Sequence, residues 1–237
     1  MTTYVYAITD AGHPLRLSDV AGVGNPAAPL RTVRAKDLCA VVSDAPAELR
    51  AKRRDVAAHQ DVQERLMADG SCLPMRFGLV GPDDEQVAAV LEEQHDTYTQ
   101  RLGELAGCRE YHLKVARDEE DLLREIVRDS PEVRRLNDRT RHSSGPYDDK
   151  LVLGELISQE VRARQDRARA EILARLAPAA VRIEDGEPTK HYFLTTSFLV
   201  AREQAVAFSQ AVRTEAQQRG TPYTFRLYGP LPPYSFV

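Results

Sequence analysis

Residues 107–121 read GCREYHLKVARDEED. Tyr111, Leu113 and Val115 alternate with Glu110, His112 and Lys114, the period-two pattern of a strand with one apolar face. Asp118-Glu-Glu-Asp121 then sets acids where a helix N-terminus favours them, ahead of Leu122, Ile126 and Val127. Gly107, which opens the stretch, ends the preceding helical pattern. A strand followed directly by a helix thus restarts midway along the chain. The expectation is an α+β protein of two domains, residues 1–107 and 108–237, each a small mixed or antiparallel sheet with helices and loosely ferredoxin-like in element order.

Working back from Gly107, the spacing of Val87, Leu91, Tyr98, Leu102 and Leu105 predicts one helix over 83–105. Residues 72–77 (CLPMRF) read as a strand, which Pro74 confines to an edge or bulge. A helix is predicted from Asp44-Ala-Pro46 to Asp69. Leu49, Val56, Val62, Leu66 and Met67 fall within an arc of about 140° on it, His59 lies inside the arc, and Gly70 is the C-cap. Leu30–Arg34 and Leu38–Ser43 form a hairpin, residues 10–29 a loop, and Tyr4–Ile8 the first strand. Working forward, residues 129–149 lack a sustained apolar period and are expected to be a mobile loop. Leu151–Leu176 is a long helix that Pro178 stops. Residues 182–189 are a polar turn, Tyr192–Val200 a strand, Arg202–Arg219 a helix closed by Gly220, and Thr224–Tyr228 a last strand. The chain then ends YGPLPPYSFV, its most rigid and most apolar short stretch.

Composition bounds the function. The chain has 237 residues, 42% hydrophobic and 29% charged, with a net charge of −4. A chain of this size buries about 70–75% of its unfolded surface and folds without staples. The acidic balance argues against a general nucleic-acid binder. Cys39, Cys72 and Cys108 are odd in number and far apart, which supports neither a disulfide framework nor a zinc site and suits a reducing cytoplasm. No signal-peptide pattern opens the sequence, and no apolar run is long enough to span a lipid membrane.

The candidates for chemistry are few. Gly22-Val-Gly24-Asn-Pro-Ala27 matches GxGxxA, but Pro26 and Pro29 block the helix a dinucleotide site needs. His59 is either a catalytic base or ligand, or a hydrogen-bonded histidine at the core boundary. Cys72 is either an activated thiol or a small core residue; it follows a helix C-terminus, where the dipole opposes thiolate formation. The arginines of 162–175 are either a solvated helix face or a surface for an acidic partner. An enzymatic or small-molecule-binding domain using His59, Cys72 or Arg76 is the alternative reading. The main one is non-catalytic and without a cofactor.

What stands out is apolar, proline-bearing sequence at Leu73, Pro74, Arg76 and Phe77, and again at Tyr228, Pro230, Leu231, Pro232, Pro233, Tyr234 and Phe236. Pro232-Pro233 fixes an extended backbone. The aromatics around it either dock on the protein's own core or are presented to a partner.

Four stretches give the chain a resemblance to the gas vesicle protein family GvpF/GvpL: Tyr4-Val-Tyr-Ala-Ile8; His59 with Val62–Leu66 and Leu73-Pro-Met-Arg-Phe-Gly78; Glu110-Tyr-His-Leu-Lys-Val115; and Gly229-Pro-Leu-Pro-Pro-Tyr-Ser-Phe236. The last is similar to the family's terminal GPWPPYSF, with Leu231 where the family has tryptophan; the chain contains no Trp. The resemblance implies a minor structural or assembly protein of gas vesicles, with two α+β domains and no known chemistry. Its implied partners are the small, hydrophobic major gas vesicle shell protein and other minor vesicle proteins, not nucleic acid or a lipid membrane. The implied place is the gas-facing side of the shell or the nucleating vesicle.

Overall fold

The computed structural model describes residues 2–141 and 147–237. The described residues form seven α-helices and two antiparallel sheets, the α+β class expected. They divide into two compact units. The first holds residues 1–111, 199–203 and 229–237; the second holds 112–198 and 204–228. The division is therefore not one cut near Gly107. The last nine residues, expected with the second half, belong to the first unit.

In the first unit, β1 (Thr3–Asp10), β2 (Arg31–Ala35), β3 (Leu38–Asp44) and β4 (Leu73–Pro74) line up in the order β2-β3-β1-β4, and β5 (Val80–Gly81) also pairs with β1. Strand β1 pairs antiparallel with β3, β4 and β5. The register with β3 shifts between Val5 and Ala7. This bulge lets Tyr4, Tyr6 and Ala7 face one cluster while Val5 and Ile8 face another, and because both faces are covered seven consecutive residues of β1 are buried. On the first face lie Val62, Leu66 and Met67 of α1 (Arg53–Asp69). On the second lie Val87 and Leu91 of α2 (Asp84–Glu93) and Leu102 of α3 (His95–Glu104). Arg31 of β2 holds the start of α2 by donating Nε–H and Nη2–H to Asp84, at 2.9 and 2.8 Å.

Helix α1 starts at Arg53, not near Pro46. Lys52 just ahead of it is extended, and Leu49 reaches the core from irregular chain. Val56 is 38% exposed, so the apolar arc begins at His59. Residues 83–105 are two helices rather than one. Gln94 leaves helical geometry (φ −97°, ψ 15°) inside the polar run Glu92–Asp96, where no apolar side chain anchors the turn. Of residues 72–77 only Leu73 and Pro74 are strand, because the chain then turns through Gly78, at φ +93°.

In the second unit the sheet order is β7-β8-β6-β9, with β6 (Cys108–Arg117), β7 (Arg182–Asp185), β8 (Leu194–Ala201) and β9 (Tyr223–Leu231). The turn expected at 182–189 thus begins as a short edge strand. The helices are α4 (Glu119–Asp129), α5 (Pro131–Arg141), α6 (Tyr147–Leu176) and α7 (Ala205–Arg219). Asp118 caps α4 by accepting from the Asp121 N–H at 2.9 Å. Helix α5 overturns most of the loop expected over 129–149. Val133 is fully buried and Leu136 9% exposed, and Val133 packs with Leu122 and Ile126 of α4 and with Leu153 and Ile157 of α6. Two apolar residues three apart suffice when both neighbours supply a core. Residues 142–146 of that expected loop lie outside the described residues. Three of the five arginines of α6 make ion pairs within the fold: Arg164 with Glu125 and Glu160, Arg169 with Asp185, and Arg175 with the buried Glu215 of α7.

Candidate functional site

Tyr4, near the start of β1, is fully buried and its hydroxyl lies 2.8 Å from His59 Nδ1. His59 Nε2 lies 3.0 Å from the Met75 carbonyl. A carbonyl only accepts, so Nε2 carries the proton and Nδ1 accepts from the tyrosine. The Tyr4 oxygen also accepts from the Gly78 N–H at 3.2 Å. One helical turn on from His59, Gln63 donates its amide N–H groups to the Tyr6 and Met75 carbonyls at 2.6 and 2.8 Å. Gln63 Oε1 accepts from the Tyr234 hydroxyl. Next to Tyr234, Ser235 donates its N–H and its hydroxyl to Glu110, at 2.8 and 2.7 Å.

The four sequence stretches singled out above therefore meet in one polar network of the first unit. Burial pushes the His59 pKa below its ordinary 6.5, which keeps the ring neutral. Burial pushes the Tyr4 hydroxyl up to about 12 and the Tyr234 hydroxyl higher still. With every donor and acceptor named here engaged, the network ties β1, α1 and the tail together.

The residues named from sequence divide cleanly. Leu73, Pro74, Pro232 and Pro233 are buried, and Phe236 is 1% exposed in the core with Val87 and Leu91. Tyr234 is bonded as described, and Phe77 packs edge-on against His59 at 5.6 Å. Leu231 is half-buried, while Arg76, Tyr228 and Pro230 are exposed. Gly229 lies at φ +139°, and a side chain there would strike the Glu110 carbonyl and the Tyr111 ring within 3 Å. Close backbone approach between β6 and β9 thus requires glycine where the tail begins. Cys72 is buried, and desolvation pushes its thiol up to about 12; a thiol so protonated is not a nucleophile at neutral pH.

Sequence reasoning missed several partners. The amides of Gly22, Val23 and Gly24 bond to the Ala28 carbonyl, the Tyr6 hydroxyl and Asp55 at 3.1, 2.7 and 3.0 Å. The glycine-rich loop is thus tied to β1 and α1, with both glycine amides engaged within the fold. His13 reaches the Leu66 carbonyl at the end of α1 with Nε2, at 3.0 Å. A side chain at Gly70 would strike that imidazole at 2.7 Å. Gly70 is thus required by a neighbour, not by its extended dihedrals. No pattern in the sequence pairs a loop histidine with a helix end fifty residues on.

The same unit carries an apolar cavity of about 270 Å³ beside β5 and α2. Met75, Leu79, Val80, Val87, Val90 and Tyr98 line it, and among its described lining residues none is charged. Leu79, Val80 and Val90 are 44–45% exposed at its rim.

This fold is that of solved gas vesicle proteins. The crystal structure of GvpF from Anabaena sp. PCC7120 matches 99% of the chain and 97% of its own at a TM-score of 0.86 and 22% identity. GvpF from Microcystis aeruginosa matches at 0.80 and 24% identity, over 99% and 98%. The chain belongs to the GvpL/GvpF family: the family model described as gas vesicle synthesis protein GvpL/GvpF matches residues 2–237. Gas vesicle protein F of Streptomyces sp. (strain CB03234) is 40% identical over 238 residues, covering both chains completely. Gas vesicle protein F of Dolichospermum flosaquae is 27% identical over 214 residues, 88% of this chain and 87% of that one. The chain is thus a gas vesicle-associated protein, from a family not known for enzymes.

Proposed function

We propose that this protein is a non-catalytic assembly component of gas vesicles that holds the small apolar shell protein, during nucleation or at the gas-facing surface, through the cavity beside β5 and α2. The observation that carries the reading is the exposed apolar rim of Leu79, Val80 and Val90 around an uncharged cavity. Isolated exposed apolar residues are ordinary, but three around one cavity mark a contact surface. The state of His59 and Cys72 supports the non-catalytic part: one is neutral with both nitrogens bonded, the other a buried thiol. The tail serves the fold in this reading, since its aromatics Tyr234 and Phe236 are held within the first unit.

Co-expression with the major shell protein followed by pulldown tests the proposal. The full chain should capture shell protein, and Leu79→Glu/Val80→Glu should lose at least tenfold of that capture with an unchanged circular dichroism spectrum. Equal capture by the variant removes the cavity from the contact.

A further inference from the structure

The second unit has a surface of different character. On β6, Tyr111, Leu113 and Val115 point to the core, leaving His112 and Lys114 on the opposite face of the sheet. Lys114 Nζ sits 5.7 Å from the centre of the Tyr192 ring and 5.9 Å from that of Tyr228. The Arg226 guanidinium lies 5.9 Å from Tyr192. His112 stands 6.5 Å from the Tyr228 ring and bonds Ser197 at 3.1 Å. Arg226 and Tyr228 are exposed, and Lys114 and Tyr192 half-buried.

Elsewhere in this unit Arg162, Arg167 and Arg213 have no ion pair among the described residues, while other arginines find carboxylates: Arg117 with Glu125, Arg164 with Glu160, Arg219 with Glu171. Lys114 and Arg226 do not. Among the described residues neither has an ion pair, and tyrosine rings are the partners they have. A ring face attracts a cation within about 6 Å without neutralising it. The two charges are thus positioned by aromatic contacts, and no carboxylate among the described residues pairs with them.

We infer that this sheet face, centred on Lys114, Tyr192, Arg226 and Tyr228, is a docking surface for an acidic polypeptide segment of a partner protein. Charge complementarity chooses the occupant. Two held cations suit a few carboxylates in sequence, and tyrosine beside arginine is the composition of protein-binding surfaces. A nucleic acid asks for a longer track of cations than two, and for a basic domain, which a chain of net charge −4 does not supply. β9 is also the outer strand of the sheet, so an extended segment has room alongside Arg226 and Tyr228. The inference concerns the second unit and stands or falls independently of the apolar cavity in the first.

The test is titration of the full-length chain with a fluorescent decaglutamate peptide at low salt, read by anisotropy, with oligouridylate of the same length in parallel. The expected result is saturable peptide binding that fades with added salt and weakens at least tenfold in Lys114→Ala/Arg226→Ala. Arg53→Ala/Arg213→Ala, which removes two exposed cations elsewhere, should bind as the parent does. Should the first double variant fail to fold by circular dichroism, the exposed single change Arg226→Glu must show the same tenfold loss. No binding by the parent chain, equal weakening by both double variants, unchanged binding by the folded variants of the face, or tighter binding of the oligouridylate overturns the inference.

Discussion

Gln63 is the residue on which the first unit turns. Fully buried, it joins β1, the turn after β4 and the tail through three hydrogen bonds. Removing one partner of a buried hydrogen bond costs about 1–3 kcal/mol, because the remaining group has lost its water as well. Tyr234→Phe, which strips only the hydroxyl, should therefore lower stability by about 1–2 kcal/mol, measured by urea denaturation. An unchanged midpoint would show that the tail is held by packing alone. His59 adds a pH dependence. Its folded pKa lies below the ordinary 6.5, so the unfolded chain takes up the proton first as pH falls. The stability tied to the neutral ring is complete above pH 6.5 and is lost as pH falls below it. The melting temperature should drop between pH 7.5 and 5.5 more steeply in the parent than in His59→Gln, and parallel curves would assign the dependence elsewhere.

Among elements, the tail is the clearest case of a short segment stabilising a whole unit. Phe236 fills a site in the α2–α3 face, and Ser235 satisfies Glu110. Truncating a buried phenylalanine to alanine costs about 3–5 kcal/mol. Phe236→Ala should show that loss in chemical denaturation, and deletion of residues 229–237 should exceed it, because Glu110 and Gln63 lose partners at the same time. A deleted chain that melts like the parent would mean the tail is only laid on the surface. Helix α5 teaches the converse. Val133 and Leu136 are too few to announce a helix, yet α4 and α6 supply the burial that forms it.

For the molecule as a whole, the proposed function makes the stabilising and binding surfaces separate sets of residues. Capture of shell protein should fall with Leu79→Glu/Val80→Glu while the melting temperature stays within a degree or two, since both side chains are nearly half exposed. Tail variants should lose capture only in proportion to lost fold, read by pulldown and circular dichroism on the same preparations. The pattern that would reverse this assignment is a folded tail-deleted chain that no longer captures.

The α+β class, the positions of most strands and helices and the family were legible from local pattern: alternation in β6, the apolar stripes of α1 and α6, and the four short stretches. Those signals are local because side-chain direction follows backbone period over a few residues. Three things were not legible. Tyr4, His59, Met75, Glu110 and Tyr234 had to be brought together across most of the chain, and only tertiary packing decides which acceptor a given donor meets. The last nine residues join the first unit because its sheet and helices leave a site for Phe236, an absence of side chains that no local window displays. No local pattern marks Lys114 and Arg226; that tyrosines lie against them depends on Tyr192 and Tyr228, which tertiary packing brings beside them. Sequence determined which segments are strand or helix and which faces are apolar, because backbone period and burial are local. Tertiary structure decided the partners of the buried polar groups and the exposure of the apolar rim, because both depend on what the rest of the chain leaves uncovered.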